Sequence, residues 1–229
     1  MTVSGRRRSR VEAVVFDVGE TLVDETRAWS GWADRLGVPR LTFMATLGAV
    51  LARGGSHRDV FEQFRPGFDI DAEWRRLVAA GEYDSISLDE LYPDAIECLQ
   101  ALAADGYRLG IAANQPPSTA EVMARLPVDF DVIGMSDTWG LHKPDPAFFE
   151  RIASTLDLPP EAIAYVGDRL DNDVRPARAA GMVAVFVRRG PWAWIHAPRG
   201  EPEAASLVVE SLAELPLRLR ESPFGRTGS

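Results

Sequence analysis

Ala13-Val14-Val15-Phe16-Asp17-Val18-Gly19-Glu20-Thr21-Leu22 is the stretch that decides the fold. Its first four residues are uninterrupted apolar ones, β-branched or aromatic in the main. They predict a short strand buried on both faces, because a strand with one wet face would alternate polar and apolar positions. An aspartate does not stay in such an interior unpaired, so the strand ends there and Asp17 stands at its carboxyl end. The pattern returns along the chain. Apolar runs at residues 107–113, 130–135, 162–166 and 182–187 read as further buried strands, and the third of these ends at Gly167-Asp168.

Helical patterns separate these runs and carry their own punctuation. Residues 94–104 place Ile96, Leu99 and Leu102 on one face, with Gly106 as the stop. Ser118 and Glu121 have the spacing of a capping box. Asp145-Pro146 supplies an N-cap followed by proline at the first helical position. A last helix is expected over about 171–180, ended by Gly181. Strands alternating with helices predict an α/β fold, a Rossmann-like doubly wound parallel sheet with helices on both faces.

Residues 25–87 break the alternation. They are helical in pattern throughout and rich in large aromatics, Trp29, Trp32, Phe43, Phe61, Phe64, Phe68 and Trp74. They predict a helical subdomain inserted after the first strand, whose aromatics form its own core. The core domain is then 10–24 plus 88–217, and 1–9 and 218–229 read as solvated tails. The basic start Gly5-Arg6-Arg7-Arg8-Ser9-Arg10 imitates an export signal, but Glu12 and Asp17 interrupt the apolar run behind it.

With 229 residues and 46% hydrophobic residues, the chain can bury one substantial core. No stretch reaches the 18 or so apolar residues of a membrane span. The net charge of −9 disfavours nucleic acid and anionic lipid as partners. Cys98 is the single cysteine, which excludes an internal disulfide and suits a cytoplasmic location. Oligomeric state leaves no mark on the sequence. Among 25 basic residues only Lys143 is a lysine. Genomic base composition accounts for an arginine excess, but not for one retained lysine. A site that needs a compact ammonium rather than a planar fork does.

Carboxylates gather where strands end: Asp17 after the first, Asp168 and Asp173 around the end of the fourth. Ligands of open α/β sheets bind outside the carboxyl ends of strands, so these acids are expected to meet. Two like charges about 4 Å apart repel by roughly 4 kcal/mol at an effective dielectric of 20. Such a cluster calls for a cation or raised pKa values, and a set of oxygen ligands suits Mg²⁺. The alternative is that each aspartate caps its own turn.

Four segments carry a family resemblance. Phe16-Asp17-Val18-Gly19-Glu20-Thr21-Leu22 resembles the first motif of the haloacid dehalogenase superfamily. Leu109-Gly110-Ile111-Ala112-Ala113-Asn114 lies where the second belongs. Lys143-Pro144-Asp145-Pro146 is similar to the third, and Gly167-Asp168-Arg169-Leu170-Asp171-Asn172-Asp173 to the fourth. The match runs over about 11–189, and the helical insert resembles the family's cap at that point. The resemblance implies a hydrolase acting on a small phosphorylated metabolite. Asp17 would be the nucleophile that forms an aspartyl-phosphate. Mg²⁺ would be held by Asp17, the backbone carbonyl of Gly19, and Asp168, with Asp173 completing or orienting that set. Lys143 would supply a second cation to nucleophile and phosphate. Asn114 and the backbone N–H groups after it would hold phosphate.

Two positions depart from the family's phosphatase pattern. Gly19 replaces the aspartate that acts as general acid and base, a function worth about 10²- to 10⁴-fold in rate. Glu20 and Asp24 are near enough in sequence to be substitutes. Ala113 replaces a hydroxyl residue that hydrogen-bonds phosphate. Beside the phosphatase reading stand a phospho-ligand-binding protein that has lost turnover, which the two departures favour, and a haloacid dehalogenase. The dehalogenase reading is weakened by Asp168 and Asp173, which that branch lacks. The phosphonate-cleaving branch uses a cap lysine, and this cap has none. Substrate choice is expected of cap side chains such as Arg53, Arg58 and Arg65. His57, His142 and His196 show no metal-ligand spacing, and Trp192 and Trp194 read as packing, a cavity rim or a dimer contact.

Overall fold

A computed structural model of the protein describes residues 10–82, 86–197 and 202–225. Six parallel strands form one sheet in the order β3-β2-β1-β4-β5-β6. They are β1 (Ala13–Phe16), β2 (Arg108–Ala113), β3 (Val132–Met135), β4 (Ile163–Gly167), β5 (Val183–Val187) and β6 (Leu207–Val209). The chain runs outward from β1 to β3, then crosses back to β4 beside β1. The strand order therefore reverses between β1 and β4, the place where open sheets bind ligands.

Side chains alternate across the sheet. Val14 and Phe16 face one layer, with Leu99, Leu102, Met123 and Leu215; Ala13 and Val15 face the other, with Phe148, Phe149, Ile152 and Ala177. Helices α5 (Ala95–Ala104), α6 (Pro117–Met123) and α11 (Leu215–Glu221) cover the first face. Helices α8 (Pro146–Leu156), α9 (Arg175–Ala179) and α10 (Gly190–His196) cover the second. A one-turn helix, α7 (Ser136–Trp139), follows β3.

The insert is a four-helix subdomain: α1 (Thr26–Leu36), α2 (Arg40–Ala52), α3 (Asp59–Phe64) and α4 (Ile70–Ala79). Its aromatics pack on one another, with Trp32–Phe61 ring centroids 5.3 Å apart and Phe43–Phe61 5.7 Å. Trp192 of α10 joins this cluster, so the cap sits on a core aromatic, while Trp194 is exposed. The chain leaves and re-enters the core side by side, through an antiparallel bridge between Val23 and Leu91.

Several local expectations change. The helix expected at 171–180 is a π-turn over Leu170–Val174 followed by α9. The capping box at Ser118 and Glu121 does not form. Helix α6 begins on Pro117, two residues before the start that Ser118 as N-cap would give, which leaves Ser118 inside the first turn. A capping box does form at Ser87 and Glu90. Asp145 caps α8 as expected, accepting the Ala147 N–H at 2.9 Å. Asp94 opens α5 without capping it, because its carboxylate accepts from Arg189, Ser211 and the Leu212 N–H. Strand β6 and helices α7, α10 and α11 carry too few residues to show a period.

The tail expected over 218–229 begins inside α11, where Leu219 is fully buried, and the Val11 N–H donates to the Phe224 carbonyl at 2.9 Å. Leu219→Ala is therefore expected to destabilise the protein by about 2–4 kcal/mol in chemical denaturation. A change within experimental error would show that α11 is not part of the core. The tail expected at 1–9 lies outside the described residues. Among the described residues no helix is long and apolar enough to cross a membrane.

Candidate active site

The register of the sheet brings the acids together. Phe16 lies opposite Val166, which sets Asp17 level with Gly167 and one step from Asp168. The π-turn after β4 folds Asp173 back over the same point. Only glycine fits at 167, because a Cβ there would fall 2.5 Å from the Asp173 side chain. Asp17, Asp168 and Asp173 thus offer carboxylate oxygens within 4.8 Å of one another, all buried.

Lys143 completes the cluster. Its Nζ donates to Asp17 Oδ1 at 2.7 Å and to Asp173 Oδ1 at 2.6 Å, and it lies 5.6 Å from the ring centre of Tyr165. Asn114 fixes the lysine from behind: its Nδ2 donates to the Lys143 carbonyl and its Oδ1 accepts the Lys143 N–H. Burial works against the ammonium, but Asp17 and Asp173 outweigh that and hold its pKa well above the ordinary value. Burial, then the neighbouring carboxylates, push Asp168 up strongly. Burial also raises Asp173, to about 6, against the pull of Lys143.

One lysine does not satisfy three carboxylates. Asp173 has both oxygens bonded, Oδ1 to Lys143 and Oδ2 to the Arg169 N–H at 3.0 Å. Asp168 Oδ2 is buried and finds no hydrogen-bond partner among the described residues. An orphaned carboxylate oxygen beside two other acids is a poor arrangement for a protein alone and a good one for a hard divalent cation. The donor set fits Mg²⁺.

Asp17, Asp168 and Lys143 line a cavity of about 1040 Å³ between core and cap, with Asp173 buried behind them. Trp29 and His57 of the cap, Trp192 of α10, and Arg169 beside the π-turn line it as well. Trp29 and Trp192 have ring centres 6.1 Å apart, and the Arg169 guanidinium lies 5.2 Å over Trp192. Burial, with the charges of Arg169 and Arg58, pushes His57 down to about 4, so a neutral imidazole faces the cavity at neutral pH.

The sequence family of haloacid dehalogenase-like hydrolases matches residues 11–181. The chain belongs to this family. The glyceraldehyde 3-phosphate phosphatase of Methanopyrus kandleri is 35% identical over 226 residues, covering 90% of this chain and 95% of that protein. The plasmid phosphoglycolate phosphatase of Cupriavidus necator is 31% identical and covers 90% and 92%. The fold of the L-2-haloacid dehalogenase from Xanthobacter autotrophicus matches with a TM-score of 0.65 at 21% identity, over 92% of this chain and 99% of that one.

In this haloacid dehalogenase-like hydrolase, the two departures at Gly19 and Ala113 have different surroundings. Ala113 is buried in the sheet. Asn114 spends one amide hydrogen on Lys143, which leaves one free to reach the cavity that it lines. The Gln115 N–H is bonded to the Ala113 carbonyl, and the next two residues are prolines.

Both residues suggested by sequence as substitutes at Gly19 are held by other hydrogen bonds, and Glu20 lines the cavity as well. Glu20 Oε2 accepts from the Tyr92 hydroxyl at 2.6 Å, and its Oε1 accepts from the Glu25 N–H at 3.1 Å. Asp24 accepts the Thr26 N–H and lines a separate groove with Arg27 and Tyr92. The carboxylate against Gly19 belongs to Glu25, which sequence reading placed only as the first residue of the cap. Gln115 Nε2 donates to Glu25 Oε1 at 3.3 Å. Burial first, then Glu20 and Asp17, raise Glu25 to about 7.

The cap arginines named from sequence do not reach the cavity. Arg53 is exposed, Arg58 pairs with Asp71 at 2.7 Å, and Arg65 lies 5.4 Å over Phe68. Arg169 and Arg175 of the core line the cavity instead, with His196, while His142 is exposed.

Proposed function

We propose that this protein is a Mg²⁺-dependent phosphatase of a small phosphorylated metabolite, working through an aspartyl-phosphate on Asp17. The observation that carries the reading is the Asp17 carboxylate at the end of β1, facing the cavity with one oxygen on the Lys143 ammonium at 2.7 Å. The phosphatase names of relatives that span nine-tenths of the chain support it.

Asp17 attacks phosphorus with its carboxylate, and the ester P–O bond breaks. Lys143 orients that carboxylate and attracts the incoming phosphoryl oxygens. Asp173 holds Lys143 in place through its second ion pair. Asn114 fixes the lysine's backbone and offers its remaining amide hydrogen to a phosphoryl oxygen. Water then attacks the aspartyl-phosphate, releasing inorganic phosphate and freeing Asp17. Asp17, the Gly19 carbonyl and Asp168, with Asp173 completing or orienting the set, would hold Mg²⁺, which when bound offsets negative charge on the phosphoryl group. A cavity walled by Trp29, His57 and Trp192 shields the reacting centre and favours a ligand the size of a small metabolite.

The test is phosphate release from a panel of small phosphate monoesters that includes glyceraldehyde 3-phosphate and phosphoglycolate. Turnover with Mg²⁺ and its loss on chelation are expected. Saturable binding of phosphate esters with no release across the panel would establish the non-catalytic reading, and halide release from haloacids without metal would establish the dehalogenase one. Mg²⁺ alone is expected to raise the melting temperature of the wild type, because an ion bound only by the folded state stabilises it. Asp168→Asn is expected to remove most of that rise. An equal rise in both proteins would place the ion elsewhere.

A further inference from the structure

Gly19 deprives the site of the group that would protonate the leaving oxygen and later deprotonate water. The structure fills that space from another part of the chain. A Cβ built on Gly19 would lie 2.3 Å from Glu25 Oε1 and 2.7 Å from Glu25 Cδ. The Glu25 carboxylate therefore occupies the volume that an acidic side chain on residue 19 would enter.

Three further observations point the same way. Glu25 holds the N-cap position of α1 but its side chain makes no capping hydrogen bond, and the Thr26 N–H goes to Asp24. Its carboxylate is thus turned away from the helix and lines the same cavity as Asp17 and Lys143. A relay of side chains aims it: Thr119 Oγ1, buried, donates to Gln115 Oε1 at 3.3 Å, and Gln115 Nε2 donates to Glu25 Oε1. Glu20, the nearest rival, has both oxygens engaged by Tyr92 and the Glu25 backbone.

We propose that Glu25 is the general acid and base of this enzyme, reaching from the first residue of the cap into the place left open at Gly19, with Gln115 as its positioning residue. The proposal rests on the phosphatase reading above and deepens it. In the first step Asp17 forms its bond to phosphorus while the ester P–O bond breaks. The electron pair goes to the leaving oxygen, which takes the proton from Glu25. In the second step the Glu25 carboxylate takes a proton from the attacking water, whose oxygen bonds to phosphorus as the Asp17–phosphorus bond breaks. Inorganic phosphate leaves, and Asp17 and protonated Glu25 are restored.

The experiment compares two esters: an alkyl phosphate that the wild type hydrolyses, and p-nitrophenyl phosphate, whose leaving group needs no proton. Glu25→Gln keeps the shape and the Gln115 contact. It is expected to lower kcat on the alkyl ester by about 10²- to 10⁴-fold and on the aryl ester by far less. Its affinity for inorganic phosphate is expected to match the wild type. Gly19→Asp alone is expected to be impaired by its clash with Glu25, whereas Gly19→Asp in a Glu25→Ala background regains alkyl turnover relative to Glu25→Ala. An equal loss on both esters, no loss on either, or no regain in the double variant overturns the assignment. A wild type that hydrolyses neither ester fails the phosphatase reading itself, a different result from active wild type with an indifferent Glu25→Gln.

Discussion

Asp17→Asn is expected to abolish phosphate release, with kcat reduced on the order of 10⁴-fold or more, as when a covalent nucleophile is removed elsewhere. The amide has almost the shape of the carboxylate, and its oxygen still accepts from Lys143. What is lost is the charge and the lone pair that attack phosphorus. The fold is expected to tolerate the change well. Asp17 is one of three clustered acids that crowd one another, and Lys143 keeps its 2.6 Å partner in Asp173. Removing one like charge at about 4 Å relieves repulsion of roughly 4 kcal/mol at an effective dielectric of 20, which offsets the lost ion pair. The melting temperature should therefore stay level or rise while activity disappears, a combination that a general structural defect does not produce. Residual turnover within tenfold of the wild type would mean that the phosphoryl group does not pass through Asp17.

Lys143→Met is expected to be the most damaging single change to stability. The side chain is buried, and its ammonium touches two of the three acids. Without it Asp17, Asp168 and Asp173 face one another with no cation in contact, and breaking a buried pair in this way costs about 3–5 kcal/mol. For a chain of this size that lowers the melting temperature by roughly 6–20 °C. Added Mg²⁺ should recover part of the loss, since the same carboxylates then gain a countercharge. Lys143→Arg is not expected to rescue either stability or turnover. The ammonium meets Asp17, Asp173 and the face of Tyr165 as a compact point charge, and a longer planar fork does not reproduce that geometry. An unchanged melting temperature in Lys143→Met, measured without metal, would show that the carboxylates do not depend on that ammonium.

The core of this site was legible because its residues sit at the ends of buried strands. Continuous apolar runs mark such strands, and the first acid after each run has nowhere to go but the edge of the sheet. Asp17 and Asp168 follow that rule. Lys143 stood out twice, as the one lysine in a chain otherwise using arginine and as the head of a segment similar to the family's third motif. Asp173 needed the π-turn to bring it inward, yet its spacing from Asp168 was that of the family motif. Reading was weaker wherever an element is shorter than its own period. Strand β6 has three residues and α7 four, too few for a pattern, and the buried side of α11 was mistaken for tail because polar residues surround Leu219.

Sequence by itself determined the parallel sheet, the helical insert and the identity of the acids and the ammonium at the sheet's edge. These follow from local apolar patterns and from which residue types tolerate a buried position. Tertiary structure alone decided which carboxylate faces Gly19 and which arginines face the cavity. Glu20, Asp24 and Glu25 stand together in the chain, and nothing in their order says which one turns inward. That choice is made by the path of the linker through the Val23–Leu91 bridge and by the seating of Trp29 against Trp192. Both are contacts between residues far apart in sequence, which no local pattern around residues 20–25 encodes.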